Sequence, residues 1–259
     1  MTAYHAAPLA EAVTVLERSW VGDPATASFG LTRSVRNDYR DPGYAWLAFE
    51  ARRLWQEFQE HSGEPLLVDC GCLNLVKSNV TPDLKKTYAV QSFAVLEQLQ
   101  LRREVFSAAE LQERFPQFTA DGGWLDVDAG FVDVTAVTRA LRKALRARGV
   151  RVAEGSVLRA IARSGRGWNV ATESGPVESD VLVITAGLGT NEVLDLVPGC
   201  PVRFPLRPDR PSQSKYLIPP ARTRGLFTEA ALTVFAYLDV GIYGHPIFDG
   251  KTPGVKIGF

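Results

Sequence analysis

Two periodicities share this chain, and the places where one gives way to the other mark out its elements. The apolar run Val13-Thr14-Val15-Leu16 ends in Glu17, which predicts a short strand closed by an acid. Residues 1–7 read as the end of a preceding helix, and residues 27–36 as a polar loop. Across residues 44–61, Trp46, Leu47, Phe49, Leu54, Trp55 and Phe58 recur at helical spacing with Glu and Arg between them, which predicts an amphipathic helix. Residues 66–68 and 72–76 read as strands around Gly71, and residues 82–100 as a helix. A further helix over residues 107–115 is opened by Ser107 and Glu110 at capping-box spacing. Residues 124–127 follow as a strand before a turn at Gly130.

The clearest helix covers residues 133–148: Val134, Val137, Leu141 and Leu145 share a face, Arg139, Arg142, Lys143 and Arg146 lie largely opposite, and Gly149 is the stop signal. The basic face reads as solvated rather than as an anion site, since cations are favoured near a helix C-terminus. Strands over 150–152, 156–161 and 168–172 precede the apolar run Val181-Leu182-Val183-Ile184 and then Thr185-Ala186-Gly187. A helix, a small antiparallel excursion and a buried apolar strand describe a crossover that returns to a parallel sheet. From Val202 on, Pro and Gly separate short strands at 203–206, 214–218, 232–237, 241–244 and 255–257, which predicts an antiparallel sheet. The fold class expected is α/β.

With 29 basic and 29 acidic side chains in 259 residues, the net charge is zero, and nothing favours nucleic acid or an anionic membrane as a partner. No apolar run has the length of a membrane span and no signal core follows the N-terminus, so the cytoplasm is the expected compartment. Cys70 and Cys72 form a C-x-C pair, but the only other cysteine is Cys200, so a thiolate metal site is not expected and the pair reads as small buried side chains.

An acid at the end of a strand is how dinucleotide folds hold a ribose, with a glycine loop about 20 residues earlier for the pyrophosphate. Glu17 fits the first part. Met1 lies only 16 positions before it and no G-x-G-x-x-G occurs, so the chain is expected to start after that strand and loop and to bind a dinucleotide weakly or not at all. Arg33 and Arg36, three apart, are expected to lie close together and to offer planar forks for a carboxylate or phosphate; the bland alternative pairs them at the surface with Asp38, Asp41 or Glu50. Lys256, on a strand of apolar residues and glycine, is either buried for a reason or an edge-strand lysine. Tyr243 could be a site residue or a buried tyrosine bonded to backbone. Of the three histidines only His245, beside Tyr243, is a plausible pocket residue.

Glu17, the Gly30-Leu31-Thr32-Arg33-x-x-Arg36 loop, the 181–187 segment, Tyr243-Gly244 and the closing Lys256-Ile257-Gly258-Phe259 come in an order that resembles the flavin-dependent amine oxidases of sarcosine, N-methyltryptophan and pipecolate type. The resemblance implies an FAD-binding Rossmann-like domain over residues 1–65 and 125–200, interleaved with a mostly antiparallel substrate domain over 66–124 and 201–259. It assigns cofactor contacts to Glu17, Arg18, Thr32, Leu158, Ala186 and Gly187, substrate contacts to Arg36 and His245, and catalytic roles to Lys256, Tyr243 and Arg33. Phe29 and Leu31 stand where the family carries a histidine and an aspartate, so substrate handling is expected to differ from that of sarcosine oxidase itself and the substrate class stays open. The resulting expectation is oxidation of a secondary amine or N-methyl amino acid by FAD, with dioxygen as acceptor. The alternatives are a fragment that folds without flavin and a carboxylate-binding module built on Arg36.

Overall fold

The computed structural model describes residues 1–78, 83–207 and 214–259. Its strands, in chain order, are β1 (Thr14–Leu16), β2 (Thr32–Val35), β3 (Leu67–Val68), β4 (Cys72–Val76), β5 (Arg103–Ser107), β6 (Gly122–Asp126), β7 (Gly130–Asp133), β8 (Arg151–Ala153), β9 (Leu158–Ser164), β10 (Gly167–Thr172), β11 (Gly175–Ser179), β12 (Lys215–Leu217), β13 (Val234–Tyr237), β14 (Ile242–His245) and β15 (Val255–Gly258). The α-helices are α1 (Thr2–Ala6), α2 (Pro42–Ser62), α3 (Tyr88–Gln98), α4 (Ala108–Arg114), α5 (Val134–Ala147) and α6 (Thr190–Asp195). They form a mixed α/β fold in two compact units, Met1–Phe29 with Thr138–Pro211 and Gly30–Val137 with Ser212–Phe259. Compactness thus groups residues 30–65 and 125–137 with the second unit, whereas the domains expected from the sequence put them in the first.

In the first unit β1 pairs in parallel with β8, Thr14 opposite Arg151 and Leu16 opposite Ala153. The excursion is an antiparallel meander, β9 to β10 to β11, whose last strand the apolar pattern does not reveal. The Arg148 guanidinium lies over the Tyr4 ring at 3.6 Å and donates to the Tyr4 carbonyl, which fixes α1 against the end of α5. Two expected strands are absent. Residues 181–186 are irregular, with Val181 and Val183 73% and 60% exposed. A strand buried on both faces needs neighbours to take its backbone hydrogen bonds, and none of the described residues pairs with this segment. Residues 203–206 are also irregular, Phe204 standing half exposed.

The second unit is built on a seven-stranded sheet, β12-β15-β14-β13-β4-β6-β5. Every neighbouring pair is antiparallel except β13 and β4, which run parallel. Leu73, Leu125, Phe235 and Val255 of the sheet bury one face against Leu111 and Phe115. A smaller antiparallel sheet, β2-β7-β3, carries the residues that matter below.

Helix boundaries follow the capping chemistry. Asp41 accepts from the Tyr44 amide at 2.9 Å ahead of Pro42, and Gly63 closes α2 in the left-handed region. Ser107 and Glu110 form the expected capping box of α4. The 82–100 helix begins later than expected because Thr87 caps it by accepting from Val90; a 3-10 turn at Leu84–Lys86 precedes it, and Pro82 lies outside the described residues.

Two corrections concern the small sheet. Residues 32–35 form a strand, not part of a loop, in register with β7 from Thr32 opposite Asp133 to Val35 opposite Gly130. Gly130 opens a strand rather than a turn: a Cβ there would overlap the Val68 carbonyl oxygen, so glycine is required by close packing of β7 on β3.

Candidate functional site

Lys256 sits on β15, which has β12 on one side and β14 on the other, opposite Tyr216 and His245. It is 4% exposed, so the edge-strand alternative does not hold. Its Nζ donates to the Thr32 carbonyl of β2 at 2.9 Å. Burial, and then the positive charge of Arg33, lower the ammonium to about 8. Among the described residues no carboxylate lies within ion-pair distance of it.

His245, 1% exposed, is tied to the same strand: its Nε2 lies 2.9 Å from the Ser34 hydroxyl. The ring packs on Phe131 of β7, and Nδ1 is buried without a hydrogen-bond partner. Burial first, then Lys256 and Arg33, push the imidazole well below its ordinary pKa, so it is neutral. Thr32 Oγ1 is likewise buried and unpaired. Arg33 Nη1 donates to the Thr32 carbonyl at 3.2 Å, and its guanidinium covers Gly30, where a side chain would collide with it. The Tyr243 ring lies across Gly258 in the same hairpin. The fold therefore gathers Thr32, Arg33, His245 and Lys256 into one cation-rich cluster, with Tyr243 on the strand that bears His245.

Arg36 occupies a different neighbourhood. Its Nη1 donates to Asp38 Oδ1 at 2.5 Å and to the Asp38 carbonyl at 3.4 Å, and the guanidinium lies 4.9 Å from the centre of the Tyr39 ring and 6.0 Å from that of Tyr88. Arg36 stands one residue past the end of β2, and its described contacts are with Asp38, Tyr39 and Tyr88, whereas those of Arg33 are with Thr32 and Gly30. The pairing with Asp38 exists, but with a fully buried carboxylate rather than at the surface. Total burial lifts Asp38 above the usual carboxylate range against the pull of Arg36. Beside it, Asp126 accepts from the Asn37 amide nitrogen at 2.7 Å and from Asn37 Nδ2 at 3.2 Å. Burial, then the charge of Asp38, raise Asp126 to about 7.

In the first unit, Glu17 follows the parallel strand β1, and its amide donates to the Ala153 carbonyl at 2.9 Å. Both described bonds to its carboxylate, from the Ser19 amide and hydroxyl, end on Oε1. Oε2 keeps its acceptor capacity, which suits the hydroxyls of a ribose. Arg18 makes a surface ion pair with Glu192 of α6 at 3.6 Å. Leu158 opens β9 half buried; Ala186 and Gly187 are exposed, Gly187 starting a 3-10 turn at φ 57°.

Ser34, Tyr216, Asp38, Tyr88 and Asp126 were not among the expected site residues. Thr32-Arg33-Ser34-Val35, read as an alternating strand, would have placed Ser34 on the face of Thr32. Cys72 is fully buried and Cys70 partly so, packed with Phe131 and Val234; burial raises the Cys70 thiol to about 11, which makes it unreactive. Among the described residues no cluster of three or more His, Cys, Asp or Glu could hold a metal, and no helix is long and apolar enough to cross a membrane.

N-methyl-L-tryptophan oxidase of Yersinia pestis (strain Pestoides F) is 26% identical over 204 residues, a match covering 77% of this chain and 53% of the relative. The chain thus spans about half the length of the curated relatives it matches. L-proline dehydrogenase from P. horikoshii superposes with a TM-score of 0.77 at 17% identity, over 99% of this chain and 65% of that one. Iminodiacetate oxidase from Chelativorans sp. BNC1 gives 0.73 at 20%, over 99% and 67%. At such identities these two likenesses concern the fold. Residues 1–258 match the family described as FAD dependent oxidoreductase, and the chain belongs to that family.

Proposed function

We propose that the chain is part of an FAD-dependent oxidase of secondary amines or N-methyl amino acids, with dioxygen as the electron acceptor. The observation that carries the reading is Lys256: a buried ammonium on an interior strand, beside Arg33 and His245, hydrogen-bonded to a carbonyl and without a described carboxylate. A protein keeps such a charge out of water where negative charge develops during a reaction. Within each unit taken by itself the donors suit parts of such a cofactor: Glu17 offers an acceptor for a ribose hydroxyl, and the Arg33 and Lys256 cluster offers positive charge with the unpaired hydroxyl of Thr32.

Bound FAD would supply the redox chemistry, taking two electrons from the carbon next to the amine nitrogen and passing them to dioxygen to give peroxide. The chain's own residues would orient and polarise. Arg36 would hold the substrate carboxylate. Both of its bonds to Asp38 leave from Nη1, so that carboxylate takes one prong of the fork rather than both. Lys256 would hold positive charge at Nζ where dioxygen gains electrons, and Tyr243 would line the same face of the hairpin. The N-methyl-L-tryptophan oxidase relative supports an N-methyl amino acid as substrate.

The experiment is direct. The purified protein, incubated with FAD and desalted, should keep flavin absorbance, and N-methyl amino acids should bleach it without oxygen and yield peroxide on aeration. Retained flavin that no amine or amino acid bleaches would overturn the oxidase reading; no retained flavin would favour a fragment that folds without it.

A further inference from the structure

Two polar contacts, two residues apart on β2, stitch that strand to the β14–β15 hairpin: Ser34 to His245, and Thr32 to Lys256. His245 and Lys256 are themselves directly opposed across the hairpin. Opposed residues on one face of an antiparallel pair have Cβ atoms about 5 Å apart, close enough for the imidazole to bound the space available to the lysine stem. The ring cannot swing away, because Ser34 holds Nε2 and Phe131 packs on its face.

We propose that Ser34 and His245 are a positioning pair for Lys256, a fixed uncharged ring that keeps Nζ on the Thr32 carbonyl. Among the described residues, the charged and titratable groups that face Lys256 from the neighbouring strands are Arg33 from β2, Tyr216 from β12, and Tyr243 and His245 from β14. Lys251, in the hairpin loop, is engaged with Asp133 of β7 at 2.5 Å. A second cation at His245 would stand opposite Lys256 without a counter-charge, so the ring serves only while neutral. With the ring loosened, Nζ could reach further acceptors, the unpaired Thr32 hydroxyl first. More acceptors favour the charged ammonium, so losing the pair raises the lysine's affinity for its proton.

The consequence for catalysis rests on the oxidase reading, but the test does not. Lysines are labelled by reductive 13C-methylation, the Lys256 signal is identified by its loss in Lys256→Met, and its titration is followed by NMR in the whole chain. Ser34→Ala and His245→Phe should both raise the midpoint by about half a unit or more, about threefold in proton affinity, and Ser34→Thr should restore it. Ser34→Ala removes only a hydroxyl and decides the matter even if His245→Phe does not fold. A midpoint unmoved within about 0.1 unit in Ser34→Ala would overturn the proposal and leave His245 a packing residue. Failure here with peroxide still formed strikes the pair; the reverse strikes the oxidase.

Discussion

Arg36 and Asp38 share one ion pair unequally: the carboxylate side chain is 0% exposed and the guanidinium 23%, with Nη1 and Oδ1 2.5 Å apart. Removing the cation therefore strands the more deeply buried partner.

Arg36→Ala is expected to destabilise the protein by about 3–5 kcal/mol, the cost of leaving a buried charge unpaired, whereas Asp38→Asn should cost clearly less because the arginine retains access to water. Urea denaturation of the two variants checks the order; equal losses would show that the buried carboxylate is already neutral.

Arg36→Lys keeps a cation for Asp38 but gives up the planar fork. If Arg36 holds a substrate carboxylate, KM should rise about tenfold or more while kcat changes little. Steady-state peroxide formation is the measurement, and an unchanged KM would remove Arg36 from the substrate site.

Lys256→Met should leave anaerobic flavin reduction by substrate within about twofold and slow reoxidation by dioxygen about a hundredfold, the scale on which one electrostatic donor acts. Stopped-flow absorbance times the two half-reactions separately, and equal slowing of both would assign Lys256 to the substrate instead.

Asp126 links stability to pH. Its folded value is raised to about 7 from an ordinary 3.8, so the folded protein holds this proton more tightly than the unfolded chain does. That contribution is fully present below about pH 4 and is lost as pH rises through about 7. Asp126→Asn abolishes it: wild type should lose stability relative to the variant across this window, with a slope of up to about 1.4 kcal/mol per pH unit. Denaturation midpoints at several pH values would show a constant gap if Asp126 does not titrate there.

Gly130→Ala should cost more than about 3 kcal/mol, because its Cβ would drive into the backbone of β3. Gly63→Ala, in open space but at φ 67°, should cost about 1 kcal/mol. Thermal unfolding of the pair distinguishes packing from backbone preference.

What the sequence makes legible follows from what is local. α2, α4 and α5 declare themselves because period and caps lie within a few residues of each other. Lys256 stands out because apolar residues and glycine surround it in sequence, although in space it lies among Thr32, Arg33 and His245. Ser34 does not, since its partner is 211 positions away. Asp38 lies among Asn37, Tyr39, Arg40 and Asp41, a segment as polar as any solvated loop, and only the tertiary packing reveals that Asn37 and Asp38 are fully buried. The error at 181–184 is of the opposite kind: apolar residues show which segment could fill a sheet, but pairing is a property of neighbours.

The parallel contact between β4 and β13 joins segments some 160 residues apart, Cys72 to Val234 and Asn74 to Ala236. On a ribosome that makes chain at about 5–20 residues per second, β4, β5 and β6 emerge well before β13, and β4 must wait roughly 8–30 seconds with one edge open. Early pairing of β4 with β6 covers only the other edge, so a chaperone has its work in that interval, and a stalled or prematurely ended message would leave the open edge of β4 as the place where aggregation begins.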